Sequence, residues 1–309
     1  MTAEPTSPAV IIEDETLRDG LQAESRLFSL EEKLALFHLL QGAGFKRIQV
    51  GSFVHPKVVP QMAGIEELLR AIGPREDLTL SALILNDKGL ERALATGVKH
   101  VSMSVSASDT HSRKNARRPA AEALASMTGL IAQARRQGLS VRAGVQCAFG
   151  CVYEGRVPEE TVLQTAADLI EAGAGEINLA DTTGMATPRA VRRLAAETRR
   201  RWPEVTLSLH LHDTRGLGLM NMMAGFESGA VIFDACAGGL GGCPFVKGAA
   251  GNVPTEDAIN MFEAQGVPTG LDIRAVCRAV EELERLLNRP LPGRMTRVLK
   301  GLDQIRREA

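Results

Sequence analysis

His210-Leu211-His212 is the sharpest chemical feature of the chain. On a β-strand, side chains two residues apart point to one face, so both imidazoles would be offered to a single ligand. The pair fits two hydrogen-bonded core histidines equally well, and the choice turns on what else converges there. Asp19 supplies a carboxylate and Asn252 a side-chain carbonyl, which makes two nitrogens and two oxygens. A mixed set with open positions suits Mg2+ or Mn2+, or else Co2+ or Zn2+, whereas a structural zinc is closed by four ligands, usually thiolates. Standing alone, Asp19 would read as a turn or helix cap. Arg18 beside it has the fork geometry to hold a carboxylate or a developing enolate oxygen, or to make a surface ion pair.

The glycine-dense segment 238–252, GGLGGCPFVKGAAGN, suits a mobile lid more than regular structure. Cys243 at its centre fits a proton donor, a nucleophile or a small residue in a tight turn. No glycine motif for phosphates stands here in a strand-to-helix setting, so no nucleotide site is read. Cys147 and Cys151, flanking AFG, read as buried reduced thiols ahead of a redox pair. Asp181-Thr182-Thr183-Gly184 fits either a substrate hydroxyl or a helix cap. Lys114, Arg117 and Lys247 read as solvated loop cations.

Eight apolar runs must position these groups: 10–16, 47–52, 78–85, 100–106, 140–149, 176–182, 206–213 and 231–238. Their near-continuous apolar character implies strands buried on both faces, and amphipathic stretches alternate with them. Ser29 followed by Glu32 marks a capping box, and glycines in GAGF, ATGV, RQGL, EAGAG, ESGA and AQGV mark helix ends. This alternation implies an α/β fold, a (β/α)8 TIM barrel with a C-terminal helical extension; an open doubly wound sheet is the alternative. The barrel is expected over 8–270 and the extension over 271–309, packed on the barrel or on a partner subunit of a homo-oligomer. In such a barrel the chemistry sits at the carboxyl ends of the strands, where Arg18, Asp19, Asp181, His210 and His212 fall.

The 309 residues carry 36 Lys+Arg against 37 Asp+Glu, a net charge of −1, with 44% hydrophobic residues. That balance implies a globular protein with no nucleic-acid or anionic-membrane partner. No apolar run reaches the roughly 20 residues of a membrane span, and no signal peptide is legible, so a cytoplasmic location is expected. The five cysteines lack the C-x-x-C spacing of structural zinc.

ETLRDGLQAE, SFVHPKVVPQMAG, VQCAFGCVYEG, INLADTTGMATP, HLHDT and GGLGGCPFVKGAAGNVPTEDAINMFE together resemble the 3-hydroxy-3-methylglutaryl-CoA lyase family of metal-dependent TIM-barrel metallolyases. The resemblance runs from about residue 10 to 288. It implies Mg2+ or Mn2+ held by Asp19, His210, His212 and Asn252. It also implies Arg18 as the catalytic arginine, His210 as the base and Cys243 as the catalytic cysteine. Arg18, Gln22, Gln49, Ser52, Tyr153, Asp181 and Thr182 are then expected to meet an acyl-CoA substrate, cleaved to acetyl-CoA and a keto acid such as acetoacetate.

Three positions depart from the family pattern. Gln49 replaces a strand-2 glutamate and carries no charge, so the electrostatics around Arg18 must differ. Glu15-Thr16-Leu17 is closer to the sister enzymes that condense acetyl-CoA with 2-oxo acids, and Ser25 replaces a lysine. The condensing enzymes' H-x-H-N-D and G-x-G-E-R-x-G-N are absent, so the lid favours a lyase. A lyase for a citramalyl-CoA-like substrate and a non-catalytic metal-binding barrel are the remaining alternatives.

Overall fold

A computed structural model of the chain describes residues 10–242 and 250–308. In chain order the elements begin β1 (Ile11–Asp14), α1 (Leu30–Gly42), β2 (Arg47–Ser52), α2 (Ile65–Ile72), β3 (Thr79–Leu83), α3 (Asp87–Thr96) and β4 (His100–Ser106). There follow α4 (Asp109–Asn115), α5 (Ala120–Arg136), β5 (Ser140–Gln146), α6 (Glu159–Glu171), β6 (Glu176–Ala180) and α7 (Pro188–Arg201). The chain ends with β7 (Thr206–His210), α8 (Gly218–Phe226), β8 (Ile232–Ala235), α9 (Thr255–Ala264), α10 (Ile273–Leu287) and α11 (Met295–Glu308).

Each strand pairs in parallel with the next, and β8 returns to β1 in register from Ile11↔Ile232 to Asp14↔Ala235. The sheet is therefore the expected closed (β/α)8 TIM barrel, and the open sheet is excluded. Local chemistry starts and stops its helices. Ser29 Oγ accepts from the Glu32 amide while the Glu32 carboxylate accepts from the Ser29 amide, at 3.2 and 2.9 Å. A cap of this kind contributes about 1 kcal/mol. Gly97 ends α3 at φ 78°, a left-handed conformation that a side chain would strain.

Apolar residues fill the layer between barrel and helices: Phe233 of β8 lies 5.5 Å from Phe262 of α9, both fully buried. The interior of the barrel differs from the apolar expectation. Period-two alternation turns Glu13, Arg47, Arg142, Glu176 and Asp234 inward, and they pair there. Arg47 bonds Glu13 and Glu176 at 2.8 Å each, while Arg142 bonds Glu13 at 3.0 Å, faces Glu176 at 3.4 Å and also bonds Asp234. Burial alone would raise the Glu13 carboxyl, but Arg47 and Arg142 bring it down to about 2.

Strand ends also shift. β5 stops at Gln146 because Cys147 turns to φ 57°, and β7 stops at His210, leaving His212 beyond the strand. The C-terminal extension packs on the barrel helices. Asp272 N donates to Ala43 O at 2.9 Å where α10 meets α1, and Asp257 of α9 accepts from the Arg294 and Met295 amides that open α11, at 2.9 Å each. Among the described residues, no helix is long and apolar enough to cross a membrane.

Glu256 of α9 is fully buried beside this extension, where its carboxylate accepts from Gly238 N at 3.0 Å. Burial pushes its carboxyl up to about 7. An acid with a raised folded pKa leaves stability intact below its unfolded value and loses it as pH climbs to the folded value. Glu256→Gln should therefore gain stability over the wild type between pH 5 and 8, by up to roughly 3 kcal/mol. Urea unfolding at the two pH values checks this; a pH-independent difference would refute it.

Candidate active site at the barrel mouth

β1 runs into a five-residue π turn, Thr16–Gly20, in which the Glu15 carbonyl accepts from both the Arg18 and Gly20 amides at 3.1 Å. That turn sends the adjacent side chains Arg18 and Asp19 into one cavity of about 540 Å³ at the carboxyl ends of the strands. Its lining includes Glu15, Arg18, Asp19, Gln22, Ser52, Arg142, Thr182, His210, His212 and Asp234.

Asp19, His210 and His212 offer ligand atoms that all lie within 4.8 Å of one another. The two histidine Nε2 atoms are 3.1 Å apart. Ligands at right angles around one ion, each about 2.1 Å from it, would be separated by roughly 3 Å. His212, although past the end of β7, is held in place by a bridge to Asn252. Asn252 Nδ2 donates to Asp19 Oδ2 at 2.7 Å, and its buried Oδ1 has no hydrogen-bond partner among the described residues. Two imidazoles, a carboxylate and an unengaged carbonyl are a donor set that fits a divalent cation.

The charges are strongly organised. Burial opposes ionisation of Asp19, but Arg18 and both histidines outweigh it and hold the carboxyl far below the usual range. Burial likewise opposes a charge on His210, yet its bonds to Asp234 and Glu15 push the imidazole up to about 10. His212 goes the other way, down to about 3, through burial and the neighbouring His210 charge. His210 Nδ1 lies 3.1 Å from Asp234 and 3.4 Å from Glu15, so its other nitrogen is the one turned to His212. Arg18 is gripped on three edges: Nε by Gln49, Nη1 by Asp19 and Nη2 by Glu15.

The structure thus brings together Arg18, Asp19, Gln22, Ser52, Thr182, His210, His212 and Asn252, with Gln49 beneath Arg18. Two expected substrate contacts are placed elsewhere. Tyr153 is not among the residues lining the cavity; it is 43% exposed and carries Lys114 Nζ 4.8 Å from its ring centroid. Asp181 does not line the cavity; its Oδ1 accepts from the Met185 and Ala186 amides at 2.7 and 3.0 Å and so ties the loop after β6. Cys243 and Lys247 lie outside the described residues. Cys147 is buried and its thiol is pushed up to about 12, which makes it inert. Among the charged residues at the cavity, Arg142 and Asp234 went unread in the sequence, and Glu15 was read only as part of a departure from the family pattern. The available signal was charge at alternating positions within otherwise apolar strands.

A closed parallel barrel with a carboxylate, two histidines and an arginine converging at its carboxyl-end mouth defines a TIM barrel with a candidate metal-binding active site. The HMGL-like family profile matches residues 9–283. The chain is 42% identical to an (R)-citramalyl-CoA lyase from Chloroflexus aurantiacus, over 92% of this chain and 93% of that one. It is 36% identical to a hydroxymethylglutaryl-CoA lyase from Bacillus subtilis, over 96% and 99% of the respective chains. An HMG-CoA lyase from Acinetobacter baumannii, solved with coenzyme A and 3-methylmalate, superposes with a TM-score of 0.88 at 37% identity, covering 93% of this chain and 94% of that one. This chain belongs to the 3-hydroxy-3-methylglutaryl-CoA lyase family, and it is a carbon–carbon lyase.

The placement of Asp181 makes a prediction. Asp181→Ala strips the acceptor from two loop amides and should cost about 2–4 kcal/mol in urea unfolding, since a buried donor left unpaired loses roughly 1–3 kcal/mol. Asp181→Asn keeps the acceptor oxygen and should stay within about 1 kcal/mol of wild type. Equal losses in both variants would contradict the loop-tying role.

Proposed function

We propose that this enzyme cleaves a 3-hydroxy-3-methyl acyl-CoA bearing a free carboxylate, with 3-hydroxy-3-methylglutaryl-CoA as substrate and acetyl-CoA and acetoacetate as products. The supporting observation is the convergence of Asp19, His210 and His212 beside Arg18 in one cavity, in a chain whose relatives are named as CoA lyases.

Asp19, His210, His212 and Asn252 are the residues that would hold Mg2+ or Mn2+. Such an ion supplies Lewis acidity toward a substrate hydroxyl and lowers its pKa. The chain's own groups account for the rest. The family resemblance gives His210, oriented at Nδ1 by Asp234 and Glu15, the C3 hydroxyl proton; it acts there in its neutral form, which a cation held beside it would favour over the imidazolium. Loss of that proton lets the C2–C3 bond break, leaving a ketone at C3 and the electron pair on the thioester as an enolate. Arg18, aligned on three edges, stabilises the enolate oxygen. Protonation at C2 completes acetyl-CoA, a step that the family resemblance gives to Cys243.

A second reading shortens the acyl group by one methylene, so that (R)-citramalyl-CoA yields acetyl-CoA and pyruvate. The 42% identical relative and the neutral Gln49 favour it. Acetyl-CoA release measured with each thioester separates the two readings, and turnover of neither would sink both. Removal of metal with EDTA should abolish turnover, and Mg2+ or Mn2+ should restore it. His212→Ala should weaken Mn2+ binding at least about tenfold, read by electron paramagnetic resonance, with an unchanged circular dichroism spectrum. Undiminished Mn2+ affinity would remove His212 from the ligand set.

A further inference from the structure

We propose that Glu15 is a positioning residue for this reaction: its buried carboxylate anchors the Arg18 guanidinium at the cavity and keeps it aligned when Asp19 is engaged elsewhere. The inference rests on the lyase reading above, because it concerns where Arg18 must point during bond cleavage.

Geometry carries it. Glu15 and Arg18 leave the same π turn, whose two hydrogen bonds to the Glu15 carbonyl hold the two side chains in fixed relation. The Glu15 side chain is 1% exposed and lines the cavity. Its Oε2 bonds Arg18 Nη2 and stands 3.4 Å from His210 Nδ1. Its Oε1 is buried without a hydrogen-bond partner among the described residues and faces Arg142 at 3.8 Å.

The other two grips on Arg18 are weaker candidates for the same task. Gln49 Oε1 accepts from Nε but brings no charge. Asp19 bonds Nη1 through Oδ1 and accepts from Asn252 through Oδ2, and it stands with His210 and His212 in the cluster that would hold a cation. A carboxylate shared with a divalent ion attracts a guanidinium less. Among the described residues, Glu15 is then the remaining ion-pair partner of Arg18. His210 does not depend on Glu15 in the same way, because Asp234 holds its Nδ1 at the shorter distance of 3.1 Å. Glu15 therefore acts through Arg18 more than through the histidine.

Glu15→Gln preserves shape and removes the charge. Its kcat should fall about 100-fold with KM within about threefold, since a misplaced group about 1 Å from its working position costs on that order. Mn2+ affinity, read by electron paramagnetic resonance, should stay within about threefold, because outer carboxylates that orient ligands cost 10–100-fold when lost and Glu15 is not the main one here. Adding Gln49→Glu should recover at least about tenfold in kcat by restoring a carboxylate on the Nε edge of the guanidinium. In the protein supplied with diamagnetic Mg2+, which would engage Asp19, the Arg18 Nε–H resonance, assigned by its absence in Arg18→Lys, should lose its protection from exchange in Glu15→Gln.

An unchanged kcat together with an unchanged Arg18 resonance overturns the proposal. So does a loss of Mn2+ affinity in step with kcat, which would place Glu15 behind the histidines instead. A wild-type protein that cleaves neither thioester defeats the lyase reading, while the Arg18 resonance in the presence of Mg2+ still decides whether Glu15 anchors Arg18.

Discussion

A guanidinium sealed inside a closed barrel must be met by anions, and Arg142 is where that requirement shapes this molecule. It bonds Glu13 at 3.0 Å, faces Glu176 at 3.4 Å and Glu15 at 3.8 Å, and is also paired with Asp234. Removing one member of such a buried group leaves an uncompensated charge, a loss of several kcal/mol. The acids are therefore held in place by the floor of the barrel, and two of them reach upward. Asp234 and Glu15 both contact His210 Nδ1, so the orientation of a histidine at the mouth is inherited from an ion network beneath it.

The mouth adds a backbone constraint. Adjacent residues on a strand would point to opposite faces, but the π turn after β1 delivers both Arg18 and Asp19 to the same cavity. On the far side, the loop after β7 is clasped to the C-terminal end of the glycine-rich segment through the His212–Asn252 bridge. Gly241 sits under this clasp at φ 115°, and a Cβ there would lie 2.6 Å from Asn252 Nδ2. A glycine is required for Asn252 to lie beside Asp19.

The charges around Arg18 are supplied from one side. The neutral Gln49 accepts from one edge of Arg18, and the acidic partners of that guanidinium both come from the end of β1. A barrel tolerates this because its strands end side by side around one cavity, so a guanidinium can be approached from β1 or β2 with little change in the fold. His210 and Arg18 stand close together at the mouth and share Glu15 as a neighbour.

Much of this was legible in the chain itself. The spacing of apolar runs, the Ser29–Glu32 cap and the helix-ending glycines specify an eightfold strand–helix alternation through local sterics and hydrogen bonding. His210-x-His212, Arg18-Asp19 and Asn252 marked the mouth, because strand periodicity and residue type depend on neighbours in sequence. Tyr153 and Asp181 fall outside the cavity lining, since a polar residue near a strand end has several uses and only its loop's path selects one. The roles of Glu15, Arg142 and Asp234 were decided by tertiary structure. Each is a charge whose partner lies on a different strand, and barrel closure alone brings those strands within bonding distance.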